Sequence, residues 1–224
     1  MAFLCQNSMF EDNYRHRGLR NKLVATLRKK GIKDERVLAA IGKVPRHFFF
    51  DDALLQHAYQ DKAFPIGEGQ TISQPYTVAF QTEKLQVRPG DRVLEVGTGS
   101  GYQACVLLEL GAKVFTIEYN RNLYEKVRTF LPAMGYRPTF FLGDGSKGLP
   151  SRAPFDRIIV TAGAPSIPQA LIDQLAEGGI LVIPVGDRDR QQMVVIRKKD
   201  GKLQEERYDM FAFVPLLGEE GWGQ

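Results

Sequence analysis

The chain has 224 residues, 43% hydrophobic and 25% charged, with 30 Lys and Arg against 26 Asp and Glu for a formal charge of +4. This excludes a disordered chain, and two cysteines, Cys5 and Cys105, make no disulfide framework. No run approaches the ~18 apolar residues of a membrane span, and the apolar start MAFLC is too short for a signal-peptide core, so a single domain with a short N-terminal extension in the reducing cytoplasm is expected.

In chain order, Leu19, Leu23, Val24 and Leu27 recur at helical spacing and predict a helix over residues 8–30, stopped by Gly31. Asp34 is a candidate N-cap for a second helix reaching Lys43 and ended by Pro45. Pro65, Gly67, Gly69 and Pro75 then break any long helix, so residues 65–75 read as an ordered loop or short hairpin. A helix follows over 76–85. From Asp91 onward short apolar strands alternate with helices: strand 92–96, helix 102–110 closed by Gly111, strand 114–117, helix 121–130, strand 139–142 and strand 157–160. A helix near 168–175 starts on a proline, strand 180–183 follows, and strands 193–197 and 208–214 flank an Asp200-Gly201 turn as an antiparallel hairpin.

Strands that are apolar throughout are buried on both faces. The pattern predicts a doubly wound, mostly parallel α/β sheet with N-terminal helices and a C-terminal antiparallel strand pair. Such sheets bind ligands beyond the carboxyl ends of their strands. One domain over 1–224 is expected, with residues 1–75 as helical extension and substrate loop and 76–224 as the cofactor-binding core.

Strand 92–96 runs into Gly97-Thr98-Gly99-Ser100-Gly101. A dinucleotide loop would need Gly or Ala where Tyr102 stands, and a phosphate loop would need a Lys that is missing between Val96 and Tyr102. A nucleophile elbow would need Gly where Thr98 stands. The surroundings are acidic: Glu95 before the loop, Glu118 at the end of the next strand, Asp144 with Gly145 at the end of the third. Three carboxylates would repel a pyrophosphate. They suit a cofactor that is cationic and carries a ribose, as S-adenosylmethionine does; Glu118 lies about 20 residues on, where a carboxylate accepts from a ribose diol. Any one of them alone could instead cap the following helix. Glu95-Val96-Gly97-Thr98-Gly99-Ser100-Gly101 resembles the first motif of the Rossmann-like S-adenosylmethionine methyltransferases.

Two nucleic-acid signatures of that superfamily are missing. Thr161-Ala162-Gly163-Ala164-Pro165 stands where amino-nitrogen methyltransferases carry Asn/Asp-Pro-Pro-Tyr/Phe, and neither Cys5 nor Cys105 forms a Pro-Cys nucleophile. The basic runs Arg28-Lys29-Lys30 and Arg197-Lys198-Lys199 fall short of the ~5–8 residues of a nucleic-acid tract and read as solvated faces. Upstream, Val44-Pro45-Arg46-His47-Phe48, Ala58-Tyr59-Gln60-Asp61 and Gly69-Gln70-Thr71-Ile72-Ser73-Gln74-Pro75-Tyr76 resemble the protein L-isoaspartyl O-methyltransferase family. So do the runs 155–162, 178–186 and Phe213-Val214-Pro215-Leu216; the resemblance extends from about Arg17 to Trp222.

That resemblance implies methyl esterification of the free carboxylate of L-isoaspartyl residues in damaged peptides and proteins, the first step of their repair. It implies Ser73 as the active-site residue and Glu95, Gly97, Thr98, Gly99, Ser100, Gly101, Glu118, Asp144 and Gly145 as the cofactor site, with Glu118 on the ribose and Asp144-Gly145 near the adenine. The substrate groove would comprise Gln70, Thr71, Ile72, Gln74, Val214, Pro215 and Leu216. Leu217 departs from relatives that carry a polar cofactor contact there, and the family's unusual order of its last two strands is expected here.

The chemistry needs no general base, because an aspartyl-type carboxyl with a pKa of ~3.9 is already ionised at neutral pH. His16, His47 and His57 accordingly show no triad or metal spacing, and no metal is expected. An extended peptide is expected beside residues 70–75 and 214–216 in the manner of strand addition. The expected partners are isoaspartyl peptides and age-damaged proteins, without nucleic acid or membrane, and the expected state is a monomer. The competing readings are a nucleic-acid methyltransferase and a non-catalytic cofactor-binding module.

Overall fold

The computed structural model describes residues 10–223. Helix α1 runs from Tyr14 to Lys29, with the Asn13 side chain accepting from the His16 amide at 3.1 Å. This cap starts it later than its apolar spacing suggested; residues 8 and 9 lie outside the described residues. Helix α2 (Glu35–Lys43) starts at the expected cap, where Asp34 accepts from the Arg36 amide at 2.9 Å. Strands β1 (Phe64–Gly67) and β2 (Gln70–Ile72) form an antiparallel hairpin. Its turn residues Glu68 and Gly69 both have positive φ, 53° and 67°, the geometry of the tight turns whose twist matches a hairpin. Helix α3 (Pro75–Leu85) opens on Pro75, at a position where the missing N–H has no helical partner to lose.

The main sheet then builds through β3 (Arg92–Val96), α4 (Tyr102–Glu109), β4 (Lys113–Glu118), α5 (Arg121–Ala133), β5 (Thr139–Leu142), β6 (Phe155–Val160), α6 (Gln169–Asp173), β7 (Leu175–Gly186), β8 (Gln191–Lys199) and β9 (Lys202–Phe211). Its order is β5-β4-β3-β6-β7-β8-β9. The strands from β5 to β7 are parallel, while β8 and β9 return antiparallel about Asp200-Gly201. The last two strands thus follow β7 in chain order. The chain leaves β3 toward β4 on one side and later returns to β6 on the other, so a switch point lies at the carboxyl ends of β3 and β6.

Strand alternation divides the core. Val93, Ile159, Val182 and Val195 face the layer containing α1 to α4, and Leu94, Ile158, Leu181 and Val194 face the layer containing α6. Leu27, Leu38, Ile41 and Leu107 share the first cluster, so the N-terminal helices pack into the same core as the sheet. Among the described residues, no helix is long and apolar enough to cross a membrane.

Further boundaries differ from the sequence reading, among them the start of β7 at Leu175 rather than 180 and the end of β9 at Phe211 rather than 214. Helix α5 continues past Phe130 with Pro132 in its last turn. Helix α6 ends at Asp173, because Leu175 already pairs with Phe155 in the sheet and buries its side chain there. Strand β9 starts at Lys202 rather than near 208. Its first residues, polar except for Leu203, are exposed on a sheet edge, so no apolar alternation marks them.

Candidate active site

The carboxyl end of β3 opens into a cavity of about 380 Å³. Its floor is bare backbone for a steric reason. Gly97 has φ +94°, and a Cβ there would lie 2.6 Å from Thr161 Oγ1; a Cβ on Gly145 would lie 2.5 Å from Val96 Cγ1. The loop is held by Gly97 and Thr98 amides donating to the Ile117 carbonyl at 2.9 and 3.2 Å. Gly101 caps α4 in a left-handed conformation.

Glu118, buried at the end of β4, lines this cavity. Its Oε2 accepts from the Gly99 amide and its Oε1 from the Asn120 amide, both at 2.8 Å. An ionised carboxylate has about four lone-pair sites, so capacity for a diol remains. Across the cavity mouth, Glu68 in the hairpin turn accepts from Asn120 Nδ2 and Asn122 Nδ2 at 3.1 and 3.2 Å, tying the hairpin to the start of α5. Glu68 and Glu118 are the charged side chains among the described residues that line the cavity. Bare glycine backbone, a diol-competent carboxylate and acidic walls fit a cofactor that is cationic and carries a ribose.

Of the residues singled out in the sequence, Gly97, Thr98, Gly99, Ser100, Glu118 and Gly145 lie on this cavity, as do Gln70, Thr71, Ser73, Val214, Pro215 and Leu216. Leu217 lines it too.

Glu95, Gly101, Asp144, Ile72 and Gln74 do not line it. Glu95 sits mid-strand on the face of Val93, fully buried, with Oε2 accepting from Thr116 Oγ1 at 2.6 Å. Thr116 in turn meets Thr98 Oγ1 at 2.6 Å, so Glu95 reaches the loop at one remove. Burial pushes its carboxyl up to about 8, against the lowering effect of the Thr116 bond and with the Glu118 charge adding to the rise. Asp144 turns toward the C-terminal tail: Oδ1 accepts from the Ser146 amide and hydroxyl, and Oδ2 from the Glu219 amide at 2.8 Å. Burial alone would raise its pKa; these bonds outweigh it and hold the group below its ordinary value. Ile72 is buried core, paired with Phe64. Gln74 faces a second groove and donates to the Asp61 carbonyl at 3.1 Å.

That second groove, of about 540 Å³, lies between the start of α3 and the end of β9. Thr71, Ser73, Thr161 and Val214 line both cavities. Among the described residues the Ser73 hydroxyl has no intramolecular hydrogen-bond partner, and its backbone carbonyl accepts from buried Arg46 at 2.8 Å. The 214–216 segment is fixed by Gly163, whose amide donates to Val214 and whose carbonyl accepts from Leu216, both at 2.8 Å.

Several contributors went unread. Thr161 Oγ1 donates toward the Val96 and Gly97 carbonyls at 3.0 and 2.6 Å; its place at the end of a strand beside the switch point was the available signal. Gln81 Nε2 binds the Val160 carbonyl at 2.9 Å from inside α3, where no pattern marks it. Trp222 Nε1 donates to the Gly163 carbonyl at 2.9 Å and pins the tail beside the 214–216 segment, which the same carbonyl also binds.

The histidines lie elsewhere. His16, His47 and Asp12 come together with ligand atoms within 4.8 Å. However, both imidazoles face the Glu11 carbonyl, at 3.2 and 3.1 Å, and Asp12 is paired with Arg20 at 2.8 Å. Three of the six residues of the basic runs are ion-paired: Arg28 with Glu35, Lys30 with Asp61 and Arg197 with Glu206.

Comparison with solved structures sets this fold among the S-adenosylmethionine-dependent methyltransferases. It is similar to a protein-L-isoaspartate O-methyltransferase with TM-score 0.80 and 31% identity, over 90% of this chain and 66% of that one. It is also similar to a putative protein-L-isoaspartate O-methyltransferase from Plasmodium falciparum in complex with S-adenosyl-L-homocysteine, with TM-score 0.75 and 27% identity over 92% and 99% of the two chains. The model of the protein-L-isoaspartate(D-aspartate) O-methyltransferase family matches residues 18–221. A protein-L-isoaspartate O-methyltransferase of Cytophaga hutchinsonii is 60% identical over 95% of this chain and 96% of its own length. That of Christiangramia forsetii is 56% identical over 94% and 99%. The chain belongs to the protein-L-isoaspartate(D-aspartate) O-methyltransferase family.

Proposed function

We propose that the junction of the two cavities is where this chain esterifies the free carboxylate of L-isoaspartyl residues in peptides and damaged proteins, with Ser73 orienting the carboxylate. The observation that carries the placement is the shared wall of Thr71, Ser73, Thr161 and Val214. A cofactor held over Gly97 to Gly101 and a peptide held in the second groove would meet there. S-adenosylmethionine, when bound, supplies an electrophilic methyl group on a sulfonium. The residues that would hold it are Gly97, Thr98, Gly99, Ser100, Glu118 and Gly145; Glu95, Gly101 and Asp144 would shape that site from behind.

The work left to the protein is alignment and water exclusion. Alignment of reacting groups supplies up to about 7–11 kcal/mol. Thr71, Gln74 and Val214, on the second groove, would receive the peptide main chain, with Gln70, Pro215 and Leu216 on the cofactor side of the junction and Ile72 holding the hairpin from the core, which suits a lesion that occurs in many sequences. The Ser73 hydroxyl, unengaged among the described residues, would donate to the substrate carboxylate. Ser73→Ala is expected to lower kcat by about 10–100-fold, the effect of a misplaced reactant, while S-adenosylhomocysteine affinity holds. Unchanged turnover in a folded variant contradicts the role.

We also take the protein to be a single catalytic unit acting as a monomer in the cytoplasm, on protein rather than on nucleic acid or membrane. The shared core of N-terminal helices and sheet supports the first point, and the short, partly ion-paired basic runs support the choice of partner.

A further inference from the structure

The charged side chains on the cofactor cavity, Glu68 and Glu118, suit a sulfonium but repel a substrate whose reacting group is a carboxylate. A positive charge is wanted on the substrate side. Arg46, in a short 3-10 helix (Arg46–Phe49), lies directly behind the Ser73 loop. Its side chain is fully buried. Nη2 donates to the Ser73 carbonyl at 2.8 Å and Nε to the Ala58 carbonyl at 3.1 Å. The guanidinium lies 4.6 Å from the Tyr102 ring centre and 5.6 Å from that of Phe50.

None of these partners carries a negative charge. Among the described residues no carboxylate ion-pairs with Arg46, and Nη1 has no acceptor. The acid that influences it, Asp61, is engaged by Lys30 at 2.6 Å and by the Tyr76 amide at 2.8 Å. Tyr102, which lines the cavity and acts electrostatically on Arg46, has a buried hydroxyl with no hydrogen-bond partner of ordinary geometry among the described residues. A buried, unpaired cation is costly to keep, and its field is screened far less than that of a surface charge.

We propose that Arg46 is a positioning residue that draws the substrate carboxylate to Ser73 through its buried, uncompensated charge. The inference rests on the methyl-esterification reading above. The charge acts on binding more than on the chemical step. The carboxylate loses its negative charge as its oxygen bonds to the methyl group, so a nearby cation favours the bound ground state over the transition state. The competing cation, Arg190, lies on the second groove but is exposed and accompanied there by Asp189 and Asp209.

The test is steady-state methyl transfer to an isoaspartyl peptide, first with the wild type, whose activity decides the underlying reading by itself. Arg46→Gln is then expected to raise the peptide KM by about 10-fold or more, with kcat within about threefold and S-adenosylhomocysteine affinity within about twofold. Arg46→Lys, which keeps the charge, is expected to return KM to within about threefold of wild type. The proposal is overturned if folded Arg46→Gln leaves KM unchanged or loses kcat instead. It is equally overturned if Lys does no better than Gln, or if Arg190→Gln raises KM where Arg46→Gln does not. Should Arg46→Gln fail to fold, the wild type and Arg46→Lys are compared with peptides carrying the carboxylate or its neutral amide as competitors. About tenfold tighter binding of the carboxylate in both supports the proposal; equal binding, or discrimination lost in Arg190→Gln, overturns it.

Discussion

Two glutamates two strands' ends apart meet opposite fates, and the backbone decides which. Glu118 ends β4, where its carboxylate lines the cavity and collects the Gly99 and Asn120 amides. Glu95 lies one residue short of the end of β3, in register with Thr116, and alternation turns it into the helical layer. The sequence marked Glu95 as a cofactor contact for its place just before the glycine loop and Glu118 for its place at the end of the next strand; the face of the strand is a finer distinction than either. Glu118→Ala is expected to weaken S-adenosylhomocysteine binding at least about 10-fold, the worth of one charge-assisted hydrogen bond at about 1.5 kcal/mol. Full affinity by titration calorimetry would refute the ribose contact.

Glu95 makes a different prediction. Burial raises its folded pKa from 4.5 to about 8, so the folded state binds more protons than the unfolded state across that window. Its contribution is fully present below the unfolded value and is lost as pH rises through the folded one. Glu95→Gln, which is neutral at every pH, should therefore gain in thermal stability relative to wild type between about pH 5 and about pH 8. A melting-temperature difference that stays constant with pH would contradict this.

At the scale of elements, two pieces close the site. The β1–β2 hairpin reaches the start of α5 through Glu68, and its turn was legible in Gly67, Gly69 and the flanking prolines. The tail beyond Leu216 was not legible, because it has no periodicity and most of its hydrogen bonds are long-range. It is pinned by Glu219 to Asp144, by Glu220 to the Ser146 hydroxyl at 3.1 Å, and by Trp222 to Gly163. Lys147 also pairs with Glu219. Leu217, on the cavity wall, bridges to Trp222. Trp222→Ala should loosen this wall and lower S-adenosylhomocysteine affinity by about 3–10-fold, about 1 kcal/mol for one lost hydrogen bond. Unaltered affinity would show that the tail only covers the fold. The same contrast explains the sheet: β3, β4 and β6 were read from continuous apolar runs, whereas the polar start of β9 exists because β8 offers it a pairing edge.

For the whole molecule, the arrangement follows from one topological fact. The chain departs from β3 in both directions along the sheet, and the crevice this leaves holds the glycine loop, Thr161 and the 214–216 segment together. The parallel sheet and the loop were visible in local pattern. The meeting of two cavities at Ser73 was not, because it joins residues from the hairpin, β6 and the region after β9. Acidic walls on the cofactor side and a buried cation behind the substrate side match a reaction in which a carboxylate anion meets a sulfonium.

The central claim is that this junction selects an isoaspartyl carboxylate. The measurement is methyl transfer from labelled S-adenosylmethionine to two peptides of one sequence, one with isoaspartate and one with normal aspartate. Base-labile label is expected on the isoaspartyl peptide alone, with one S-adenosylhomocysteine released per ester formed. Equal labelling of both peptides, or of neither while the cofactor still binds, would contradict it.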